Sequence, residues 1–409
     1  MKASLFAGRA GTLILAGVAT FAITVSEYGD MSHPTLVTAQ LLVLILVHTV
    51  RYLRFWTSRE ILFYVGLFAY SLLSVSWTED MHVAVNTLPS LTNFLLVLVL
   101  FSSLAAYHEL GTLLFGMAIG FAAAAILYTL TSGFPFSYPE DFSYNTIAAM
   151  YLFGFFVIIV LGSYRRWTVV PLTVGPVLLL LITATTSIKT NLGVALGIAG
   201  ATVLYFKPTA KGLIRGLMIV AALAAVVGYA VRSDPTLMEK VQNGLERVTL
   251  GFAVLTNREG DSGRTGLGNR RGWEKEGLKG WAANPVFGSG MEAFRADFST
   301  TSHSTPIDLL YNYGLIGFGL FYGMFASIAW RLLTARNAQF RGVRARIAAC
   351  LIAYVFISLS GTIYYEPFVA MFIATSSAVL MRLERSGHVP GAPLLPIAAG
   401  SGYPVSNSP

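Results

Sequence analysis

Residues 260–317 read GDSGRTGLGNRRGWEKEGLKGWAANPVFGSGMEAFRADFSTTSHSTPIDLLYNYGLIG. This is the one long water-compatible stretch in a chain otherwise built of apolar runs, and the contrast with its surroundings decides the fold class. It holds Arg264, Arg270 and Arg271, a Pro/Gly turn at Asn284-Pro285-Val286-Phe287-Gly288-Ser289-Gly290, and His303 just ahead of a new apolar run. Cations facing a turn, with one candidate base beside them, suit a phosphate-bearing substrate.

Outside that stretch, composition leaves little choice. Hydrophobic residues make up 55%, charged residues only 12%, and the mean hydropathy is +0.65. An ordinary soluble domain carries about twice that share of charge, so the sequence predicts an all-α polytopic integral membrane protein. The net charge of +8 does not point to nucleic acid, because the basic residues punctuate apolar segments instead of forming one face. A single cysteine, Cys350, lies in an apolar run and excludes an intramolecular disulfide framework. Lys2 and Arg9 ahead of an apolar run resemble a signal peptide. No small-x-small cleavage site closes it, and the segment is expected to be an uncleaved first span.

A hydrocarbon core of roughly 30 Å takes about 20 apolar residues per helix. That window picks out twelve candidate spans, at 10–26, 35–52, 60–77, 90–107, 110–132, 144–163, 168–187, 189–206, 211–231, 305–332, 344–364 and 366–383. The pair flanking Lys189 can also be one broken or re-entrant element. Twelve spans put both termini on one side, which the positive-inside rule can test. Lys2 and Arg9; Arg51, Arg54 and Arg59; Arg165 and Arg166; Lys207, Lys211 and Arg215; Arg331, Arg336, Arg341, Arg344 and Arg346; and Arg382 and Arg385 all fall on the cytoplasmic side. The opposite connections are short and acidic, with Glu27 and Asp30, Glu79 and Asp80, Glu140 and Asp141, and Glu366. The expected organisation is therefore helices 1–9 over residues 1–231, a helical periplasmic loop domain over 232–304, helices 10–12 over 305–383, and a disordered cytoplasmic tail over 384–409.

Within the loop domain, Met238, Val241, Leu245 and Val248 recur at helical spacing and predict an amphipathic surface helix. A second helix is expected through Arg270, Trp273, Gly277 and Trp281, ending at Asn284-Pro285. The next span opens with Thr305, Pro306 and Asp308 at N-cap, N1 and N3 positions, leaving His303 in the loop just outside.

Several chemistries lack their residues. The histidines are His33, His48, His82, His108, His303 and His388, without paired ligand spacing, so no metal site is expected. Hydrolase elbows, Walker loops and dinucleotide-binding glycine patterns are missing. What remains is His303, which can act as a general base or can be a wet loop side chain. Arg264, Arg270 and Arg271 can clamp a diphosphate bidentately, or bind lipid headgroups and pair with Glu259 and Glu274. Lys189, in Thr185-Thr186-Ser187-Ile188-Lys189-Thr190, stands between apolar runs where a charge is costly, and either serves a function or snorkels to the interface. Asp308 can orient a base or complement the helix dipole. Trp273, Trp281 and Tyr311 can stack on sugars or form an interfacial belt.

These residues resemble one family. His303-Ser304 followed by Leu309-Leu310 and Tyr313-Gly314-Leu315-Ile316-Gly317 is similar to the His-Asn…Gly-Leu-Ile-Gly signature of the O-antigen ligase and polymerase superfamily. Arg270 followed by Pro285 and Gly288-Ser289-Gly290 resembles its Arg…Trp…Asn-Pro-Leu-x-Gly-x-Gly block, and the Lys189 segment resembles its earlier Ser-Arg motif. Ser304 stands where the family has Asn, Lys189 where it has Arg, and Trp273 lies one residue closer to its arginine. Arg264 therefore competes with Arg270 for the role of the family arginine.

The resemblance implies a metal-independent glycosyltransferase of the bacterial inner membrane with a periplasmic active site and no cofactor. Its donor would be a glycan on undecaprenyl pyrophosphate and its acceptor a sugar hydroxyl of lipid A–core. His303 would be the base, with Arg270, Arg264, Arg271 and Lys189 holding the diphosphate. One large late loop and a short tail favour the ligase over the O-antigen polymerase and the protein O-oligosaccharyltransferase. A transporter or lipid flippase is the alternative from another class, since intramembrane Lys189 fits that inventory too.

Overall fold

The computed structural model describes residues 9–26, 58–107, 109–133, 144–162, 169–185, 187–205, 267–334, 341–359 and 361–385. The elements are α1 (Arg9–Ser26), α2 (Arg59–Ser74, continued by a 3-10 turn Val75–Trp77), α3 (Met81–Tyr107), α4 (Leu110–Ser132), α5 (Tyr144–Leu161), α6 (Val169–Ala184), α7 (Ile188–Tyr205), α8 (Leu267–Ala283), α9 (Ala293–Phe298), α10 (Thr305–Thr334), α11 (Arg341–Ser358) and α12 (Pro367–Arg385). Among the described residues there is no strand. The expected spans 35–52 and 211–231, the amphipathic helix around Met238–Val248, Arg264, and the tail beyond Arg385 lie outside the described residues.

Among the described residues four helices are long and apolar enough to cross a membrane: α2 with its 3-10 turn, α3, α4 and α10. Shorter apolar helices run through Ala10–Val25, Ile147–Leu161, Thr173–Ile182 and Pro367–Leu383. Large apolar side chains also stand on the outside, among them Ile14, Ile126, Leu130, Leu196, Val203 and Leu333. Water would penalise such a surface, whereas lipid tails accept it. The chain is an α-helical membrane protein.

Without a hydrophobic drive between helices in lipid, small residues set where backbones approach. α1 and α4 run parallel, and a Cβ on Gly116 would meet Leu13 O at 2.7 Å and one on Gly120 would meet Gly17 O at 2.1 Å. α7 and α11 run antiparallel along Gly193, Gly197 and Gly200. There, a Cβ on Gly197 would lie 2.1 Å from Ala349 O. This contact leaves Lys189, one turn before Gly193, at the end of α7 nearest the end of α11.

Three boundaries differ from the sequence reading. α3 starts at Met81 and not near 90, because Asp80 caps it: its Oδ1 accepts from His82 N at 2.9 Å and Val83 N at 3.1 Å. Pro89 is carried inside the helix. α11 ends at Ser358 and not at 364, because residues 361–363 unwind to bond the start of α10. At that start Ser304, not Thr305, is the cap residue, since its carbonyl accepts the first helical bond from Asp308 N at 2.9 Å.

α10 is not continuous. Gly314 has φ 60 and ψ −160, a backbone conformation open essentially to glycine alone. In an unbroken helix Leu315 N and Ile316 N would donate to Tyr311 O and Asn312 O. Here they donate instead to Pro285 O at 2.9 Å and Val286 O at 3.3 Å, while Tyr311 O and Asn312 O accept from Ser289 N at 2.8 Å and Gly290 N at 2.9 Å. The Pro/Gly turn is thus spliced into the hydrogen-bond ladder of α10. All four freed groups are satisfied by protein, which is what such a break in a membrane helix requires.

Candidate functional site

Splicing the turn into α10 fixes everything C-terminal to α8. α8 runs over Leu267–Ala283 and stops at Asn284-Pro285, as the proline predicts, and Trp281 Nε1 donates to Pro285 O at 3.0 Å. Thr78 Oγ1 at the end of α2 donates to Met291 O at 2.8 Å, and Phe294 N donates to Asn312 Oδ1 at 2.9 Å. Ala293, Phe294 and Tyr311 form a small core with Trp273, Phe298 and Ile307. Tyr311 is therefore a packing residue, its hydroxyl on Asp297, and not a free sugar platform. Trp273 of α8 and Ala293, Phe294 and Phe298 of α9 share this core with Ile307 and Tyr311 of α10.

His303 lies in the loop immediately before α10, as expected, with φ 58. A non-glycine residue there is held by its surroundings, and the bonds that hold it are explicit. Ser302 N donates to Asp308 Oδ1 at 2.9 Å, and Ser302 Oγ donates to Ser304 O at 2.8 Å. Thr305 N and Oγ1 both donate to Gly361 O, at 3.2 and 2.6 Å, and Ile363 N donates back to Thr305 Oγ1 at 2.8 Å. Thr362 Oγ1 donates to Asp308 Oδ2 at 2.8 Å. Asp308, 2% exposed, is thus more than a dipole-complementing acid: it ties the histidine loop to the loop between α11 and α12. The His303 ring is half-buried and faces Trp273 of α8, ring centroids 5.6 Å apart.

Lys189 reaches the same loop from the other side. α6 ends at Ala184 and α7 begins at Ile188, so the segment is broken, not continuous. Ser187 O accepts from Asn191 N at 3.0 Å, which makes Lys189 the second helical residue. A cation there opposes the positive end of the helix dipole. The Lys189 ammonium lies against Gly361, where a Cβ would come within 2.5 Å of Nζ. Gly361 is the residue whose carbonyl holds Thr305, two positions from His303. Lys189 and His303, which the sequence separates by more than 100 residues, therefore flank one stitched pair of loops.

The arginines are placed by register. Arg270 and Arg271 lie in the first turns of α8, three and two positions before Trp273. Arg264 lies outside the described residues.

Two acids join the site that sequence reasoning did not single out. Glu292, 4% exposed and at φ 57, accepts from Tyr364 Oη at 3.0 Å. Burial pushes its carboxyl up to about 7, with Asp308 adding to the rise and the Tyr364 bond and Arg295 opposing it. Glu366 is half-buried at the cap of α12, its carbonyl accepting from Ala370 N at 3.4 Å. Burial raises its carboxyl too, against the pull of Lys189. Glu366 Oε2 meets no donor among the described residues. The sequence carried a signal for it: Glu366, like Lys189, is a charge set between two apolar runs, and Pro367 after it marks a helix start. It served there only as a marker of loop sign.

The chain matches no protein-family model and no curated protein.

Proposed function

We propose that the protein is a lipid-linked-glycan glycosyltransferase of the O-antigen ligase kind. On this reading it crosses the inner membrane twelve times with both termini cytoplasmic, and the His303 end of the bundle faces the periplasm. It moves a glycan from undecaprenyl pyrophosphate to a sugar hydroxyl of lipid A–core. His303 takes the proton of the acceptor hydroxyl as its oxygen bonds to the anomeric carbon. The bond from that carbon to the phosphate oxygen breaks, and undecaprenyl pyrophosphate leaves with the electron pair. Lys189 and Arg270, with Arg264 and Arg271 as further candidates, hold the diphosphate and the charge that grows on it. The donor arrives already activated, so the reading calls for no nucleotide and no ion.

One observation carries the proposal: the Lys189 ammonium lies against Gly361, in the loop that Thr305, Asp308 and Thr362 stitch to the loop bearing His303. A cation site for phosphate and a candidate base held in a constrained conformation are what the transfer needs in one place.

The test is transfer by the purified chain in a lipid bilayer, supplied with undecaprenyl-pyrophosphate-linked glycan and lipid A–core without ATP. His303→Ala should lower turnover by about a hundredfold or more while leaving the chain folded, and Arg270→Ala should damage turnover far more than Arg341→Ala at the exposed start of α11. Wild-type turnover by His303→Ala would remove the base from the mechanism. In cells, a deletion leaving lipid A–core without glycan supports the ligase. A deletion leaving a single glycan repeat would make the protein the polymerase.

A further inference from the structure

The sequence leaves Trp273 two roles, a sugar platform or an interfacial ring, and its contacts in the folded chain add a third. Along α8, Trp273, Gly277, Gly280 and Trp281 recur at positions i, i+4, i+7 and i+8, which lie on one face of a helix. That face is pressed onto α9 and α10. A Cβ on Gly277 would run into Ile307 and Phe294, and one on Gly280 into the Tyr311 ring, so the two glycines let α8 come closer than larger residues would allow. Trp281 closes one end of the face through the bond from Nε1 to Pro285 O at 3.0 Å. Trp273 stands at the other end, half-buried against the core of Ala293, Phe294 and Tyr311. Its ring faces that of His303, with centroids 5.6 Å apart and planes tilted by 42°. The bonds on Ser302, Ser304 and Thr305 pin the His303 loop, and His303 itself holds φ 58. Bonds of that kind set the backbone and leave χ1 and χ2 of the imidazole to its neighbours.

We propose that Trp273 is a positioning residue for the base: its indole holds the His303 ring turned to the acceptor hydroxyl and lies beside the imidazolium that forms once the proton is taken. This rests on the reading of His303 as the base. An aromatic face within about 6 Å of a cation stabilises it, whereas the neutral imidazole of the resting state gains only packing from the same neighbour. Trp273 therefore acts more strongly in the transition state than before it, and its loss appears in turnover and not in substrate binding. The indole is itself held by α8 on the α9–α10 core, so the orientation of the base is set before either substrate arrives.

The experiment is transfer by the full chain in nanodiscs, with undecaprenyl-pyrophosphate-linked glycan and lipid A–core each varied so that kcat and both KM values are read separately. Trp273→Leu keeps an apolar side chain against the core but removes the ring. It should lower kcat about tenfold or more and leave both KM values within about twofold. Trp273→Phe restores an aromatic face and should recover most of the loss. The decisive comparison is the double variant. With His303 already replaced by alanine, Trp273→Leu should change the residual rate by less than about twofold, because a residue that acts through another has no effect once that partner is gone. An equal loss in both backgrounds would make Trp273 a packing residue, and a raised acceptor KM at unchanged kcat would make it a sugar platform. Either result, or wild-type turnover by Trp273→Leu, overturns the positioning role and leaves His303 as the base. Turnover untouched by His303→Ala, or no transfer by the wild type, removes the base and overturns both.

Discussion

At the end of the bundle where α2 begins, Glu60 is 1% exposed and both of its carboxylate oxygens are bonded. Ser327 Oγ donates to its Oε1 at 2.8 Å and Ser377 Oγ to its Oε2 at 2.9 Å. Arg331 donates to Ser377 Oγ at 3.1 Å and lies 3.6 Å from the Glu60 carboxylate. At the opposite end, Glu292 and Asp308 are nearly as buried, at 4% and 2% exposure, but their partners are hydroxyls and a backbone N–H. The first arrangement is complete and rigid; it closes the α2–α10–α12 contact. The second holds Glu292, whose carboxyl burial pushes up to about 7, at the end of the bundle that carries the half-buried His303. Arg331, which the sequence assigns to the cytoplasmic surface as an ordinary loop cation, is by this comparison a structural residue.

The sharpest way to break the comparison is to break the joint on which the second end hangs. A Cβ on Gly314 would meet Val286 O at 2.3 Å, and the backbone there is at φ 60. Gly314→Ala should cost roughly 2–6 kcal/mol from strain and overpacking together, seen as loss of monodisperse protein on detergent size exclusion. Gly319→Ala, on the same helix with nothing within 4 Å, should be neutral or slightly stabilising.

Next in size is the closed network. Glu60→Ala leaves Arg331 and two serines without their acceptor and should lower stability by about 3 kcal/mol in thermal unfolding, without altering the pH profile of activity. His303→Ala should move the same melting curve by less than about 0.5 kcal/mol. A large melting shift for His303→Ala would mean the two ends are not distinct in kind.

The smallest effect separates the ends by pH. In the folded chain Glu292 keeps its proton up to about 7, against an ordinary 4.5. Between those values the native state holds a proton the unfolded state has lost, so stability is fullest below about 4.5 and falls as pH rises through 7. Glu292→Gln should remove about 1–2 kcal/mol of the fall between about pH 5.5 and 7.

Much of this was legible in the residues. Apolar windows gave α1, α4, α5, α7, α10 and α12 to within a few positions, because a lipid-facing helix must be apolar along its length. Pro285 fixed the end of α8, and His303 was placed outside α10 by the polar cap that follows it. Asp308, Tyr311 and Glu366 were read by their local chemistry alone and were misjudged or passed over. Local chemistry says what a carboxyl or phenol can bond, but not which loop will arrive to bond it.

The sequence by itself determined a helical membrane chain, its break at Lys189, and the positions of the candidate base and cations. These follow from burial energetics and from proline and cap geometry, which act over a few residues. Only the tertiary structure decided that the 285–290 turn is bonded into α10, that Gly361 joins Lys189 to the His303 loop, and that Glu292 is buried against Tyr364. Each of those facts is a hydrogen bond or a charge contact between segments far apart in the chain. The groups involved are backbone carbonyls and N–H groups that every sequence possesses, so nothing in the order of side chains announces which of them will meet.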